Sequence, residues 1–150
     1  MEHNYYFFAR SDHPCSNWYA INGDQANTSE KWFMMQKAML FGDMTTLDIL
    51  KHCGNPKRAK QLGRQVKRFS DDVWKQARFD CMYVTLVRKY YECPEFNQII
   101  NENRNKTFVE AAPWDRIWGI GYSAEKALDN KNDWGENLLG KAINKLILRI

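Results

Sequence analysis

The sequence predicts an α+β fold, mainly helical with a few short strands, in one domain over residues 1–150. Three observations carry this. A chain of 150 residues is the size of one ordinary domain. Hydrophobic residues at 44% and charged residues at 27% match a globular chain and exclude a disordered or collagen-like one. Along the chain, helix-opening signals (Ser, Thr, Asp or Pro ahead of an apolar pattern) recur, whereas only two short stretches read as strands.

Asn4 to Ala9 is aromatic, short and bounded by polar residues, which suits a strand. A polar stretch follows from Arg10 to Asn27. Thr28 or Ser29 then serves as an N-cap, with Glu30 in the first turn, for a helix through Ala38 that Gly42-Asp43 ends. A short helix spans Thr46 to His52 and stops at Gly54-Asn55-Pro56, where Pro56 opens the next. Ser70-Asp71-Asp72 caps the longest helix, to about Tyr91, on which Trp74, Ala77, Cys81 and Val84 fall at helical spacing. Pro94 opens another helix to about Asn101. Thr107 to Ala112 is the second strand, ended by Pro113. Gly119 and Gly121 break the chain before a short helix from Ser123 to Leu128, and the final helix runs from Glu136 to about Leu148.

No apolar run is long enough to cross a membrane, and Met1 to Arg10 has no basic flank or sustained apolar segment of a signal peptide. The expectation is a soluble, cytoplasmic protein with no membrane partner. Cys15, Cys53, Cys81 and Cys93 form no close pair, and His3, His13 and His52 fit no ligand spacing. Reduced, packed thiols are therefore expected, and neither a structural zinc nor a disulfide framework. The net charge of +4 permits an anionic partner without demanding one. Six Trp, seven Tyr and eight Phe give flat rings suited to a core or to stacking on bases.

Two stretches could carry chemistry. On the helix from Ser29, Trp32, Met35 and Met39 share one stripe, and Glu30, Phe33, Met34 and Lys37 share another. Glu30 and Lys37 thus stand two turns apart, about 10 Å along the axis, with an aromatic between. Buried charges need partners or a task. Spacing alone equally fits a Lys37 that reaches solvent and a Glu30 that favours the helix N-terminus. In the second stretch, Val109 to Gly121, a strand ends in Pro113 and Asp115 then sits between Trp114 and Trp118. That suits the rim of a site, or a turn with two packed tryptophans. Gly119 and Gly121 permit close backbone approach, and the helix start after them could hold a phosphate. Arg64, in the run Lys57-Arg58-Lys60-Arg64-Lys67-Arg68, could fork onto a pyrophosphate, or the run could be a solvated helix face. Lys141, Lys145 and Arg149 form a stripe on the last helix that suits phosphates or ordinary amphipathicity.

Taken together, the motifs resemble the NADAR family, named for its association with NAD and ADP-ribose. Its S-N-aromatic-aromatic element is similar to Ser16-Asn17-Trp18-Tyr19, and its [ST]-V-E-H-x-[FY]-Q-x-x-K helix to Thr28 through Lys37. Its A-x-x-L-G-R element resembles Ala59 to Arg64, with a tryptophan ten residues on at Trp74. Its V-E-A-S-P-x-D-x-x-W-G-I-G signature resembles Val109 to Gly121, with Ala112 for Ser, and its W-G-x-N-x-L-G resembles Trp134 to Gly140. The helix departs at two places: the family's His is Lys31 here and its Gln is Met34.

The resemblance implies the family's helix-rich α+β fold and cleavage of a C1–N bond between a phosphorylated ribose and a base-like amine, with no metal or redox cofactor. The leading expectation is an N-glycosidase that removes ADP-ribose from guanine in DNA, an antitoxin or counter-defence role opposite a DNA ADP-ribosyltransferase. The alternatives are an N-glycosidase of phosphoribosylamino intermediates of riboflavin biosynthesis and a non-catalytic ADP-ribose or NAD sensor. The site implied has Glu30 as acid/base, Lys37 as covalent or polarising group and Asp115 orienting ribose hydroxyls or water. Arg64 and the Gly119–Ser123 turn, Gly121 included, are expected on pyrophosphate. Trp18, Phe33 and Trp118 are expected to stack on base or ribose, with Asn17 and Asn137 also on substrate.

Overall fold

The structure is a computed structural model describing residues 4–150; residues 1–3, and with them His3, lie outside it. Two strands, β1 (Tyr5–Phe8) and β2 (Thr107–Glu110), pair in parallel in the register Tyr5↔Thr107 to Phe8↔Glu110. A parallel pair needs a crossover, and here five helices fill it: α1 (Ser29–Leu40), α2 (Met44–Lys51), α3 (Pro56–Gly63), α4 (Asp71–Glu92) and α5 (Pro94–Glu102). After β2 come α6 (Ala124–Ala127), a 3₁₀ segment Leu128–Asp133 and α7 (Leu138–Arg149). The expected α+β class, mainly helical with short strands, is what the described residues form.

Helix starts follow the chemistry of their caps. Thr28 accepts a hydrogen bond from the Lys31 N–H at 3.2 Å, Asn55 from Arg58 at 2.8 Å and Ser70 from Val73 at 3.4 Å. Pro56 and Pro94 occupy first-turn positions, where a missing N–H costs nothing. α2 begins two residues before the expected Thr46 because Asp43 is its cap, accepting from the Thr46 N–H at 3.0 Å and hydroxyl at 2.6 Å. The Lys67 N–H at 2.9 Å, followed by these Thr46 bonds, holds the Asp43 carboxyl down at about 2. α7 starts at Leu138 rather than Glu136, and a 3₁₀ turn at Ile21–Gly23 interrupts the expected polar stretch, anchored by fully buried Ile21.

The sheet separates two clusters of apolar side chains. Phe8 and Phe108 point into the main core, built mostly by α1 through α5 and α7, while Val109 joins Ala111, Ile120 and Ala127 on the other face, where Tyr5 and Phe7 pack. Alternation along β2 therefore puts Glu110 on the same face as Phe108, toward the main core. α1 packs against α2, α3 and α4, so both of its stripes meet neighbours: Trp32, Phe33 and Met34 are all buried, whereas Met39, at the far end of the Trp32 stripe, is 45% exposed.

The face of α4 also differs from expectation. Val84 is half exposed, and the buried positions are Met82, Thr85, Leu86 and Lys89. From Trp74 the buried stripe advances through Arg78 and Cys81 to Thr85 and Lys89. An apolar count steps instead to Val84, because the residues that continue the stripe are polar.

Candidate active site

Glu30 lies in the first turn of α1, buried against the Ser16–Tyr19 loop, and its N–H donates to the Asn17 carbonyl at 2.9 Å. Burial pushes its carboxyl up to about 7, opposed by Lys60; Asp115 adds to the rise, and Lys37 and Arg64 oppose it. A desolvated carboxyl near a second negative charge holds its proton close to neutral pH. Lys37, two turns on, is half-buried with Nζ 4.7 Å from the Phe69 ring centroid and 5.3 Å from that of Trp74. Burial lowers its pKa; Glu30 opposes this and Arg64 adds to it. The spacing of the α1 stripe thus places the acid and the amine on one side of the helix, as expected.

The Val109–Gly121 stretch brings a third carboxyl. Asp115 Oδ1 accepts from the Ile117 and Trp118 N–H groups, both at 2.9 Å, which fixes the turn. Trp118 then meets Phe33 edge-on with centroids 5.1 Å apart, and Phe33 meets Trp74 at 5.3 Å. Phe33 is only 4% exposed, so it braces the two tryptophans and has no open face for a base, whereas Trp74 and Trp118 are half-buried.

Three residues expected on substrate are engaged within the fold. The Asn137 amide is spent on β2: its Oδ1 accepts from the Glu110 N–H and its Nδ2 donates to the Phe108 carbonyl, both at 3.0 Å. It positions the strand end. The amides of the glycine turn are also committed, Ile120 N–H to the Glu110 carbonyl and Gly121 N–H to that of Ala112, and α6 is a single turn. Those two N–H groups are therefore turned to the fold and not to a phosphate. What Gly119 supplies is closeness, since a Cβ would stand 2.8 Å from the Glu110 carbonyl oxygen; Gly121 supplies φ +77°. Arg64, exposed at the C-terminal cap of α3, remains available to a phosphate and within electrostatic reach of both Glu30 and Lys37.

Asn17 clamps α1: its side-chain oxygen accepts from the Ser29 hydroxyl at 3.0 Å. Trp18, half-buried, lines with Tyr19, Asn55 and Lys57 a separate cavity of about 490 Å³ that does not include Glu30, Lys37 or Asp115.

Two residues escaped the sequence reading. Glu110 at the end of β2 is pushed up to about 8, by burial first and then by Asp115 and Glu30, against Lys89. Its Oε2 is buried and accepts no hydrogen bond. An acid two residues after Phe108, on the same face of the strand, was the available signal. Lys89 is fully buried, its Nζ donating to the Ser16 carbonyl at 2.8 Å and the Ser29 hydroxyl at 3.3 Å. Burial brings it down to about 8, opposed by Cys15, Cys93 and Glu110. It ties the loop and α1 together beneath the carboxyls.

The NADAR domain matches residues 4–149, nearly the whole chain. The chain belongs to the NADAR family. A relative named N-glycosidase R617, from Acanthamoeba polyphaga mimivirus, is 35% identical over 145 residues, covering 89% of this chain and 85% of its own length. Protein irg-1 of Caenorhabditis elegans is 32% identical over 122 residues, covering 79% of this chain and 58% of that one. The solved NMR structure of the E. coli protein YbiA superposes with a TM-score of 0.74 at 22% identity, covering 99% of this chain and 86% of that chain. The fold is therefore the NADAR fold of YbiA. At the two positions where this chain departs from the NADAR helix pattern, the substituted side chains serve packing. Lys31 sends Nζ to the Lys51 carbonyl at 3.1 Å, at the end of α2. Met34 lies against Gly63, where any Cβ would collide with its sulfur.

Proposed function

We propose that this NADAR protein is an N-glycosidase that hydrolyses the ribose C1–N bond of ADP-ribosylated guanine in DNA. The observation that carries the reading is the buried Glu30 carboxyl, raised to about 7, facing an amine of lowered pKa on the same helix. An acid with a pKa near the working pH donates a proton well to a poor leaving group. A desolvated lysine gains the neutral fraction needed for attack. The basic run on and after α3 (Lys57, Arg58, Lys60, Arg64, Lys67 and Arg68) is exposed, with Lys60 and Arg64 in electrostatic reach of Glu30, and supports a polyanionic substrate.

In this reading the Lys37 lone pair attacks C1, and the C1–N bond breaks with its electron pair passing to the guanine nitrogen, which takes the Glu30 proton. The ribose ring then opens to the protonated imine on Lys37, the ring oxygen taking a proton from the Lys37 nitrogen as the C1–O bond breaks. Water then hydrolyses the imine, releasing ADP-ribose and the free amine. Asp115, through the carboxylate oxygen not used on the turn, orients the ribose hydroxyls or that water.

The test is mass spectrometry of a guanine-ADP-ribosylated DNA oligonucleotide incubated with wild type, Glu30→Ala and Lys37→Ala. Loss of the ADP-ribose mass with wild type alone is the expected result, and borohydride should trap sugar on Lys37. Full turnover by Lys37→Ala would remove the covalent role. An oligonucleotide left intact by wild type would turn attention to phosphoribosylamino substrates, and tight ADP-ribose binding without turnover of either would indicate a sensor.

A further inference from the structure

Behind the loop that carries Asp115 lies a groove of about 730 Å³, between α7, the Thr107 end of β2, Tyr5 of β1 and Trp134. Its head is built onto the candidate site: the N–H groups of Gly135, Glu136 and Asn137 donate to the carbonyls of Ile120, Arg116 and Gly119 at 2.8, 2.8 and 3.1 Å. The groove therefore begins where the site loop ends, and nothing in the proposed chemistry uses it.

Its lining is mixed in a specific way. Arg104, Lys141 and Lys145 contribute three cations against one acid, Glu136, which already meets Arg78 at 3.5 Å. Arg104 is oriented by the Asn101 side-chain oxygen and the Ile150 carbonyl. Lys141 and Lys145 stand one turn apart on one face of α7. Lys145 is half-buried, its Nζ 3.9 Å from Asp80 and 4.4 and 5.6 Å from the Tyr83 and Phe79 ring centroids; an ion pair at that distance with an exposed Asp80 is weak and yields to a phosphate. Along the far wall the half-buried rings of Tyr5 and Trp134 lie edge to face, centroids 5.4 Å apart.

We propose that this groove binds single-stranded nucleic acid continuous with the modified nucleotide, its lysines on the backbone phosphates and its aromatic wall against an unpaired base. This rests on the reading of a DNA-borne substrate. A cation row beside flat rings is the combination that holds a single strand without reading its sequence. A small apolar ligand would make no use of the cations, and an acidic peptide would make no use of the rings.

The experiment measures affinity for a short unmodified single-stranded DNA by fluorescence anisotropy across a salt series, alongside turnover. For Lys141→Ala/Lys145→Ala the log–log salt slope should flatten by about 1.4, roughly 0.7 per cation removed. KM for an ADP-ribosylated oligonucleotide should rise about tenfold, as lost phosphate contacts imply. kcat/KM for the ADP-ribosylated guanine mononucleotide should stay at the wild-type value. Lys51→Ala, which removes an exposed cation from α2 and none from the groove lining, should change neither quantity. An unaltered slope in the double variant, or an equal loss on oligonucleotide and mononucleotide, would overturn the groove. Turnover of phosphoribosylamino compounds alone would overturn the DNA reading, while the binding slope still judges the groove separately.

Discussion

Glu30 ionises with difficulty because water is excluded from it and Asp115 repels the charge, and the same two causes tie its reactivity to pH. Its folded pKa, about 7, lies above the ordinary 4.5, so the native state holds this proton more tightly than the unfolded chain does. The stability it contributes is full below about 4.5 and is lost as pH climbs through about 7. Glu30→Gln keeps the neutral shape permanently. It should therefore unfold at a higher temperature than wild type at pH 8, by an amount equivalent to about 3 kcal/mol, and nearly with it at pH 5. Turnover should fall at least about a hundredfold, the usual worth of a general acid. In wild type, kcat should decline as pH rises through about 7. Thermal melts at the two pH values check the first statement, and equal differences at both would show that Glu30 is not held protonated. The pairing of Glu30 with Lys37 was legible in sequence because helical spacing alone brings them to one face. Glu110 was not, because its importance comes from the strand it shares with Phe108 and from a burial that only the packed fold produces.

At the scale of elements, the end of β2 is held open toward the site by a residue on another element. Asn137 sits at φ 52° before α7 and fastens both the Glu110 N–H and the Phe108 carbonyl. Asn137→Ala orphans both backbone groups, at about 1–3 kcal/mol for such a loss, and places a less tolerant residue in the left-handed region. The variant should melt lower, and with Glu110 loosened its pH–rate profile should move. Asn137→Gly relieves the backbone strain but not the lost bonds, so it should recover only part of the melting temperature. Full recovery with glycine would mean that the conformation, not the amide, is what matters. The helix boundaries were readable from Thr28, Asn55, Pro56, Ser70 and Pro94 because caps act within a few residues. The inner face of α4 was not, since Thr85 and Lys89 are polar and become core positions only when the Ser16 carbonyl and Ser29 hydroxyl arrive from distant segments.

Across the whole molecule, one short parallel pair joins residues about a hundred positions apart and divides two apolar clusters. Both strands were visible locally as aromatic or β-branched runs, yet neither their pairing nor its direction was, because a parallel contact depends on everything folded between them. That topology distributes stability unevenly. β2 lies under α7 and beside β1, with Phe108 and Val109 fully buried, so its amides should exchange only when the chain unfolds as a whole. Residues 124–133 are one helical turn and a 3₁₀ segment in which Ala127 is the sole buried residue, and they should open locally at far smaller cost. Hydrogen exchange followed by mass spectrometry should therefore find Phe108 to Ala111 protected to the global limit and the 128–133 segment exchanging much faster. Equal rates would show that the sheet is not the anchor of the fold. Adding ADP-ribose to Glu30→Gln, which should bind it without turnover of substrate, should slow exchange in the Asp115–Gly121 loop. The Asp133 end of the next segment, whose carbonyl accepts from Arg116 of that loop at 2.6 Å, should slow with it, whereas residues 128–132 should be left as they were.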